Sequence, residues 1–249
     1  MLKIENVTFI IKSFMRPGCL ERLISSIRIR YPDVDIMVAD DGPEIVSRND
    51  AKVFNLPFDT GLSYGRNYLV DRVSTEYFLL MDDDHVFEDS TKVEKLLHPL
   101  KHGPFDLVGA QVLEAAGPFP WQGLMEIDGT CLTMKPGNRG EYEATQKVDF
   151  CHNFFAAKTE AIRRVRWDDT FKMGEHTDFF LRAMQAGLSI GYRPDVRVFH
   201  APEKSGEYGR FRNRAKTYRL EMMRKHGLTK ISNQVFAAGN LDLDAPPAA

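Results

Sequence analysis

The sequence predicts an α/β protein with a mostly parallel, Rossmann-like sheet flanked by helices. Three observations indicate this class. Apolar runs of strand length alternate with segments of helical periodicity through the first half of the chain. The runs are nearly continuous in apolar residues, which is typical of parallel strands buried on both faces. Two of the runs end directly in aspartates, and ligands bind in open α/β sheets beyond the carboxyl ends of the strands.

The first predicted elements are a strand, a helix and a second strand. Residues 7–11 read VTFII and predict a buried strand, followed by a loop that reaches Gly18. Apolar residues then recur at the spacing of an amphipathic helix; they are Leu20, Leu23, Ile24 and Ile27. Residues 34–39 predict the second strand, which ends in Asp40-Asp41-Gly42.

The middle of the chain continues the alternation. A short strand is predicted near residues 53–54, a helix over residues 65–73 and a strand over residues 77–81. This β-α-β-α succession implies right-handed crossovers within one sheet. The first turn lacks the G-x-G-x-x-G pattern, so a dinucleotide-dependent dehydrogenase is disfavoured.

The remaining elements are predicted from capping and turn signals. Thr91 and Glu94 have the spacing of a capping box and predict the start of a helix. A strand is expected over residues 106–112, and residues 117–140 are rich enough in Gly and Pro to predict surface loops with a short hairpin. Helical spacing resumes later and is expected to stop at Gly187, which can adopt the left-handed conformation of a C-cap.

Composition narrows the class of protein. The chain has 249 residues, 43% of them hydrophobic, and its net charge of -2 gives no electrostatic reason to expect a nucleic-acid partner. Cys19, Cys131 and Cys151 form no CxxC pair, which predicts free thiols in a reducing compartment. No apolar stretch approaches the roughly 18 residues that span a bilayer, and residues 1–5 lack a signal-peptide core. We therefore expect a cytoplasmic protein without a transmembrane segment, and leave peripheral membrane association open.

Three consecutive aspartates, Asp82, Asp83 and Asp84, follow the apolar strand over residues 77–81. Alternation along an extended chain places Asp82 and Asp84 on one side and Asp83 on the other. Adjacent carboxylates repel each other unless cations or hydrogen-bond donors compensate them, and oxygen ligands favour Mg²⁺ or Mn²⁺. A solvated acidic turn is the alternative. An EF-hand is excluded, because no Gly follows at the required turn position.

The order of these motifs resembles a known family. Residues 7–16, 38–42, 61–67 and 81–85 are similar to the successive signatures of inverting GT-A glycosyltransferases of family 2. The segments N153-F-F and H176-T-D-F-F narrow the resemblance to β-1,4-N-acetylgalactosaminyltransferases of the GM2 synthase type. The resemblance implies a single GT-A catalytic domain over residues 1–240. Within it, residues 1–112 would form the nucleotide-binding half and residues 113–240 the acceptor and catalytic half, before a disordered tail over residues 241–249.

The resemblance implies a binding site for a UDP-sugar donor. Phe14 lies where the family places an aromatic residue against uracil, although an ordinary core aromatic is the alternative. Asp41 lies where a carboxylate accepts the uracil N3–H, and Asp40 is assigned a structural role in the turn. Arg16 ends the first signature and is also assigned to donor binding.

The resemblance further implies a divalent ion, Mn²⁺ or Mg²⁺. Arg66 is expected to approach the aspartate cluster across the nucleotide, and Asp83 is assigned to the donor site. Asp82 would contact the ribose or a metal-bound water, while Asp84 would ligate the metal directly. His200 ends a strand-like segment at the place where many GT-A enzymes have a further metal ligand. The ion would neutralise the diphosphate as a Lewis acid.

The catalytic base is expected in the segment G174-E-H-T-D. The commoner family pattern has Glu-Asp here, whereas this sequence has Glu175-His176, and the closer relatives retain a His-x-acid arrangement that matches His176 and Asp178. If Thr177 caps the following helix, Asp178 lies in its first turn, where the dipole lowers the pKa of a carboxylate. We predict Asp178 as the base, with Glu175 as second candidate; His176 is left as a donor contact or as the base itself.

The predicted function is metal-dependent, inverting transfer of an N-acetylhexosamine or hexose from a UDP-sugar to a glycan, glycoconjugate or other hydroxyl acceptor. Asn153 would border the sugar pocket. Trp121 would form an acceptor platform, or else anchor a loop. The alternatives are a nucleotidyltransferase that makes sugar nucleotides and a non-catalytic carbohydrate-binding protein. The first usually carries a Gly-rich basic loop after its first strand, which residues 13–17 do not supply.

Overall fold

The structure is a computed structural model that describes residues 4–203, 207–236 and 240–243. The strands are β1 (Val7–Ser13), β2 (Asp35–Asp40), β3 (Lys52–Asn55), β4 (Tyr77–Asp82), β5 (His85–Val86), β6 (Leu107–Glu114), β7 (Gly117–Pro118), β8 (Leu124–Asp128), β9 (Cys131–Lys135), β10 (Glu141–Tyr142), β11 (Thr145–Val148), β12 (Phe155–Lys158), β13 (Ile190–His200), β14 (Lys230–Asn233) and β15 (Leu241–Asp242). The helices are α1 (Pro17–Arg30), α2 (Leu62–Val70), α3 (Glu94–His102), α4 (Thr159–Val165), α5 (His176–Gln185), α6 (Glu207–Arg212) and α7 (Ala215–Lys225).

The predicted α/β class with a large central sheet between helices is confirmed. Within the described residues the main path of this sheet runs β10-β11-β13-β6-β12-β4-β1-β2-β3, with β5 on β13 and β7 on β6. The pairs β3-β2, β2-β1, β1-β4 and β6-β13 are parallel. Strand β12 lies antiparallel between β4 and β6, which no pattern in the sequence predicts.

The two faces of the sheet carry separate apolar layers. Side chains alternate along β1, so Phe9 and Ile11 pack on one face and Ile10 packs on the other. The first face is covered by the apolar sides of α1 and α3, and the second by those of α2, α4, α5 and α7. Burial on both faces explains why the parallel strands are continuous apolar runs rather than alternating ones.

A smaller sheet accompanies the central one, in the order β15-β14-β9-β8. Strands β8 and β9 form the short hairpin predicted within residues 117–140. The prediction of disorder over residues 241–249 is wrong at its start, because Leu241 pairs with Ile231 in the neighbouring strand. Residues 244–249 lie outside the described part of the chain. A strand this short has almost no local signal, since its partner supplies the hydrogen bonds.

One predicted cap is also wrong. Helix α3 is preceded by Val93, which makes no side-chain capping bond. The Thr91 hydroxyl instead donates to the carbonyl of Arg197 at 2.6 Å, which ties the start of α3 to β13. The Thr91 oxygen accepts from the backbone N–H of Glu88 at 2.9 Å, so it serves the preceding turn and not the start of the helix. At the other predicted end, α5 stops at Gln185 and Gly187 has the expected positive φ, +75°.

Candidate active site

The predicted aspartate cluster lies at the carboxyl end of β4, beside the ends of β1 and β13. Asp83 is fully buried and Asp84 is nearly so, while the Asp82 side chain is 31% exposed. The guanidinium of Arg16, which directly precedes α1, pairs with both Asp83 and Asp84. Burial raises the pKa of the Asp83 carboxyl, and Arg16 opposes this shift. The cluster is therefore a compensated internal charge group and not a solvated acidic turn.

His200 completes one side of this cluster. Its Nε2 lies 3.2 Å from Asp84 Oδ2, and its Nδ1 lies 2.8 Å from Glu114 Oε1. Burial opposes ionisation of Asp84, but the hydrogen bond from His200 and the charge of Arg16 hold its pKa below the usual range. Burial likewise lowers the pKa of His200, but Asp84 and Glu114 outweigh it and raise the pKa overall.

The donor set at Asp84 and His200 fits a hard divalent ion. Neighbouring ligands of an octahedral ion with bonds of about 2.1 Å lie about 3 Å apart, close to the 3.2 Å between Asp84 Oδ2 and His200 Nε2. Within the described residues no three metal-ligating side chains form a cluster, so water and donor phosphates would have to supply the other ligands. Asp83 Oδ2 is buried there without a hydrogen-bond partner, so the cluster retains an unused acceptor.

Arg66 links this cluster to the predicted base segment. Its side chain is fully buried and pairs with Glu175 and with Asp82, the latter at 2.9 Å. Burial alone would lower the pKa of Arg66, but Glu175 and Asp82 raise it. The amide oxygen of Asn153, in the orientation that satisfies its neighbours, accepts from Arg66 at 2.5 Å. One arginine thus joins the aspartate cluster, the sugar-pocket candidate and the base segment.

Glu175 and His176 form a carboxylate–imidazole pair next to Arg66. Glu175 Oε1 lies 3.3 Å from His176 Nδ1, and the glutamate is fully buried while the imidazole is 28% exposed. Burial opposes ionisation of Glu175, but Arg66 and then His176 hold its pKa below the usual range. The ring of Trp121 lies 6.4 Å from the His176 ring, edge to face. His176 is therefore the one base candidate with an accessible side chain among the three.

Asp178 is not brought together with the other candidates. Its carboxylate is fully buried and accepts from Arg182 at 2.8 Å, Lys225 at 2.6 Å and His226 at 2.9 Å. Burial opposes its ionisation, but these donors lower the pKa of Asp178 to about 2. The helix begins at His176 after Glu175, so Thr177 is not its cap, although Asp178 still lies in the first turn. This geometry gives Asp178 a structural contact set and no support as the base.

The predicted uracil site is occupied by protein contacts. The Phe14 ring packs against Phe58 at 5.9 Å and Phe211 at 5.0 Å. Asp41 is almost fully buried, pairs with Lys12 and accepts from the backbone N–H of Gly61 at 2.7 Å. Its direct contact with a base is therefore not supported by this arrangement.

The neighbouring Asp40 shows the structural role predicted for it. One carboxylate oxygen of Asp40 accepts from the backbone N–H of Gly42 at 2.9 Å, as in a turn that an aspartate caps. Burial raises the pKa of Asp40, and this bond opposes the shift. A cavity of about 450 Å³ lies next to this region, lined by Met15, Pro43, Phe58, Arg210, Phe211 and Arg214.

Basic residues follow β13 in the sequence. Arg210 of α6 lines the cavity beside Phe14 together with Phe211. Arg214 makes a bidentate ion pair with Asp59, at 2.7 and 2.8 Å, and Lys172 reaches the same carboxylate at 2.9 Å. The chain after β13 is thus anchored to the loop that follows β3.

Sequence reasoning missed three residues of the site. Lys12 is a buried lysine near the end of β1, paired with Asp41; a charged residue directly after the apolar run was its only signal in the sequence. Tyr208 lies over the Arg16 guanidinium with its ring centre 4.3 Å away, and Glu114 holds His200. The last two contacts join residues that are far apart in the sequence, so no local pattern contains them.

Known proteins are similar to this chain in sequence. The sequence model described as "Glycosyl transferase family 2" matches residues 8–171. β-1,4 N-acetylgalactosaminyltransferase 1 of Rattus norvegicus is 37% identical over 207 residues, which cover 78% of this chain and 39% of that protein. β-1,4 N-acetylgalactosaminyltransferase 2 of Mus musculus is 36% identical over 207 residues, and the match covers 80% of this chain and 40% of that protein. The chain thus spans about two-fifths of these relatives.

Solved structures share the fold. GalNAc-T7, crystallised with UDP, GalNAc and Mn²⁺, superposes with a TM-score of 0.61 at 14% identity, covering 89% of this chain and 54% of that one. Residues 1–349 of S. aureus TarS give a TM-score of 0.56 at 13% identity, with coverages of 78% and 60%. The family match extends over more than half of the sequence and includes the strand-end aspartates. This chain therefore belongs to glycosyl transferase family 2.

Proposed function

We propose that this chain transfers a sugar from a UDP-sugar to a hydroxyl acceptor with the help of Mn²⁺ or Mg²⁺ and with inversion. The observation that carries the proposal is the row of ion pairs from Asp82 through Arg66 and Glu175 to His176. It begins in the same aspartate cluster as Asp84, which pairs with His200, so it links a candidate metal and diphosphate site to a candidate base. A transferase needs both sites at once.

The donor half of the site supports nucleotide-sugar binding. Asp84 and His200 would hold the divalent ion, which would supply Lewis-acid neutralisation of the diphosphate as the nucleotide leaves. Asp82 is 31% exposed and pairs with Arg66 through Oδ1, so its other carboxylate oxygen would meet a ribose hydroxyl or a metal-bound water. The GalNAc-T7 structure on the same fold contains UDP and Mn²⁺, which supports this assignment by analogy.

We further propose His176 as the general base. Inversion by direct displacement requires a group that takes the proton of the acceptor hydroxyl. Glu175 stays ionised and lies 3.3 Å from Nδ1, so it favours a proton on that nitrogen and leaves the Nε2 lone pair for the hydroxyl. Both amide atoms of Asn153 lie within 2.9 Å of Nε2, so an acceptor hydroxyl would replace this contact.

The acceptor half has one aromatic wall. Trp121 packs on Phe150 at 5.7 Å and faces His176, which places an apolar surface next to the proposed base. The apolar face of a sugar ring suits such a surface. We therefore propose a glycan or glycoconjugate acceptor, and an N-acetylhexosamine or hexose as the transferred group. The names of the rat and mouse relatives favour N-acetylgalactosamine among these.

The test is a panel of nucleotide sugars assayed for UDP release with Mn²⁺, with and without a panel of glycan acceptors. We expect release from a UDP-sugar that depends on the metal and rises with an acceptor. Binding without release would instead support a non-catalytic carbohydrate-binding protein. Preference for GDP-sugars or ADP-sugars would contradict the uridine assignment.

Within the described residues no helix is both long and apolar enough to span a bilayer.

A further inference from the structure

Arg16 occupies an unusual position among the strand-end carboxylates. Its Nη1 lies 2.5 Å from Asp84 Oδ2, the same oxygen that His200 approaches to 3.2 Å, and its Nη2 pairs with Asp83. The guanidinium thus shares an oxygen with the candidate metal site. A positive group and a divalent ion cannot both approach that oxygen closely, because they repel each other.

The pairing of Arg16 with the carboxylates is incomplete. Arg16 Nε and Asp83 Oδ2 are both buried without a hydrogen-bond partner in the part of the chain that the structure describes. A planar guanidinium that matched this site would use its fork of donors fully. The unpaired Asp83 oxygen shows that Arg16 alone does not satisfy these carboxylates, and the unpaired Nε–H of Arg16 is left as a donor for an anion such as a phosphate.

Only the side chain of Arg16 has to move for such an exchange. Its backbone is fixed, because its carbonyl accepts from Cys19 at 3.0 Å and from Leu20 at 3.1 Å in the first turn of α1. The guanidinium lies between the carboxylates and the ring of Tyr208, 4.3 Å away on α6. A rotation of the side chain away from Asp84 would leave the start of α1 unchanged and would free the oxygen that His200 approaches.

We propose that the Arg16 guanidinium is an internal counter-ion of the aspartate cluster. It occupies the position of the divalent cation in the absence of the donor, and it moves from the carboxylates to the diphosphate when the donor and the cation bind. Before the donor binds, the guanidinium neutralises Asp83 and Asp84. When the ion reaches Asp84 and His200, Arg16 leaves that oxygen and pairs with a phosphate. This inference rests on the proposed function, and it makes Arg16 a binding residue with opposite effects on metal and nucleotide.

The first measurement is Mn²⁺ binding without nucleotide, followed by electron paramagnetic resonance, for wild type and Arg16→Gln. Removing the competing cation should tighten Mn²⁺ binding about tenfold, the order expected for one charged hydrogen bond. Arg22→Gln is the matched control, because Arg22 lies on the adjoining helix α1 with a side chain 48% exposed, 3.9 Å from Glu203, and its hydrogen bond goes to Cys19 Sγ and not to the aspartate cluster. Unchanged or weaker Mn²⁺ binding by Arg16→Gln would overturn the proposal.

The second measurement is UDP affinity by calorimetry at saturating Mn²⁺. Arg16→Gln should bind UDP about tenfold more weakly, since the diphosphate loses a charged donor. Removal of a purely structural arginine would weaken the binding of both Mn²⁺ and UDP. Affinity changes of opposite sign for the two ligands therefore support the exchange, and changes of the same sign overturn it. If neither the wild type nor Arg16→Gln binds UDP, the proposed function fails, but the comparison of their Mn²⁺ affinities still decides the role of Arg16.

Arg16→Gln leaves two buried carboxylates without their cation and can therefore fold poorly. The double variant Arg16→Gln/Asp83→Asn removes one charge of each sign and should fold better. Compared with Asp83→Asn alone, it should still bind Mn²⁺ about tenfold more tightly, because Asp84 and His200 remain. Equal Mn²⁺ affinity of these two variants would also overturn the proposal.

Discussion

Replacement of Glu175 by Gln offers a sharp test of the row of ion pairs at the centre of the site. The side chains of Glu175 and Arg66 are both fully buried, with 0% exposure, so neither water nor salt screens their ion pair. The variant keeps the size of the side chain and removes its charge. Arg66 would then retain Asp82, whose side chain is 31% exposed, and the amide of Asn153.

Breaking a buried ion pair by removing one partner typically costs about 3–5 kcal/mol. Because Gln can still accept one hydrogen bond and Asp82 still compensates part of the charge, we expect the lower end, about 3 kcal/mol. For a protein of this size that corresponds to a fall in Tm of roughly 6–12 °C. Glu160→Gln is the control, since its pair with Arg163 is exposed and should contribute at most about 0.5 kcal/mol.

The effect should depend on pH with a definite sign. The pKa of Glu175 is lowered in the folded protein, so its contribution to stability is present above the ordinary glutamate pKa and is lost as pH falls through the folded value. Urea unfolding of wild type and Glu175→Gln should therefore differ most near pH 7 and converge in strong acid. A difference below about 1 kcal/mol at pH 7, or one that grows as pH falls, would refute the reasoning.

Three other predictions concern the base, the metal and the sheet. His176→Gln should lower turnover about 10²–10⁴-fold with UDP affinity nearly unchanged, whereas Asp178→Asn should mainly lower Tm; steady-state kinetics that assign the loss of turnover to Asp178→Asn in a stable protein would restore Asp178 as the base. Asp84→Ala should lose most of the Mn²⁺-dependent UDP affinity in calorimetry while keeping its circular dichroism spectrum, and unchanged affinity would remove the metal assignment. Gly65→Ala should lower Tm, because an added Cβ would lie 2.3 Å from Lys12 Cδ; Gly129→Ala, with no neighbour within 4 Å but a positive φ of 56°, separates backbone strain from this clash. Equal losses in the two glycine variants would mean that the contact with Lys12 is unimportant.

The sequence predicted the elements that have a strong local signal. Strands β1, β2 and β4 are continuous apolar runs, and α1 has a clear apolar face, so their positions are right within one or two residues. Strand β12 has no such signal. Its FAAK segment lies antiparallel between two strands because both neighbours offer unpaired edges, and that information is distributed over residues far away in the chain.

The same distinction holds for the candidate site. The strand-end rule pointed to Asp84 and the family resemblance pointed to His200, and the structure brings the two together. The contacts of Asp178 could not be foreseen, since Lys225 and His226 come from the end of α7, 47 and 48 residues away. A sequence motif gives the residue type at a position, but the contacts of that residue in the folded protein determine its chemical role.

The placement of β12 also has a consequence for how the chain reaches its folded state. Residues 155–158 are the only link between β4 and β6 on the described path of the sheet, with Ala156 opposite both Leu79 and Val108. A nascent chain that ends before them would expose two open strand edges, which are templates for aggregation. The segments on either side of residue 112 share this sheet, so neither is expected to fold alone. The two parts of the sheet can therefore join only after synthesis has passed residue 158. Such long-range pairing favours slow folding.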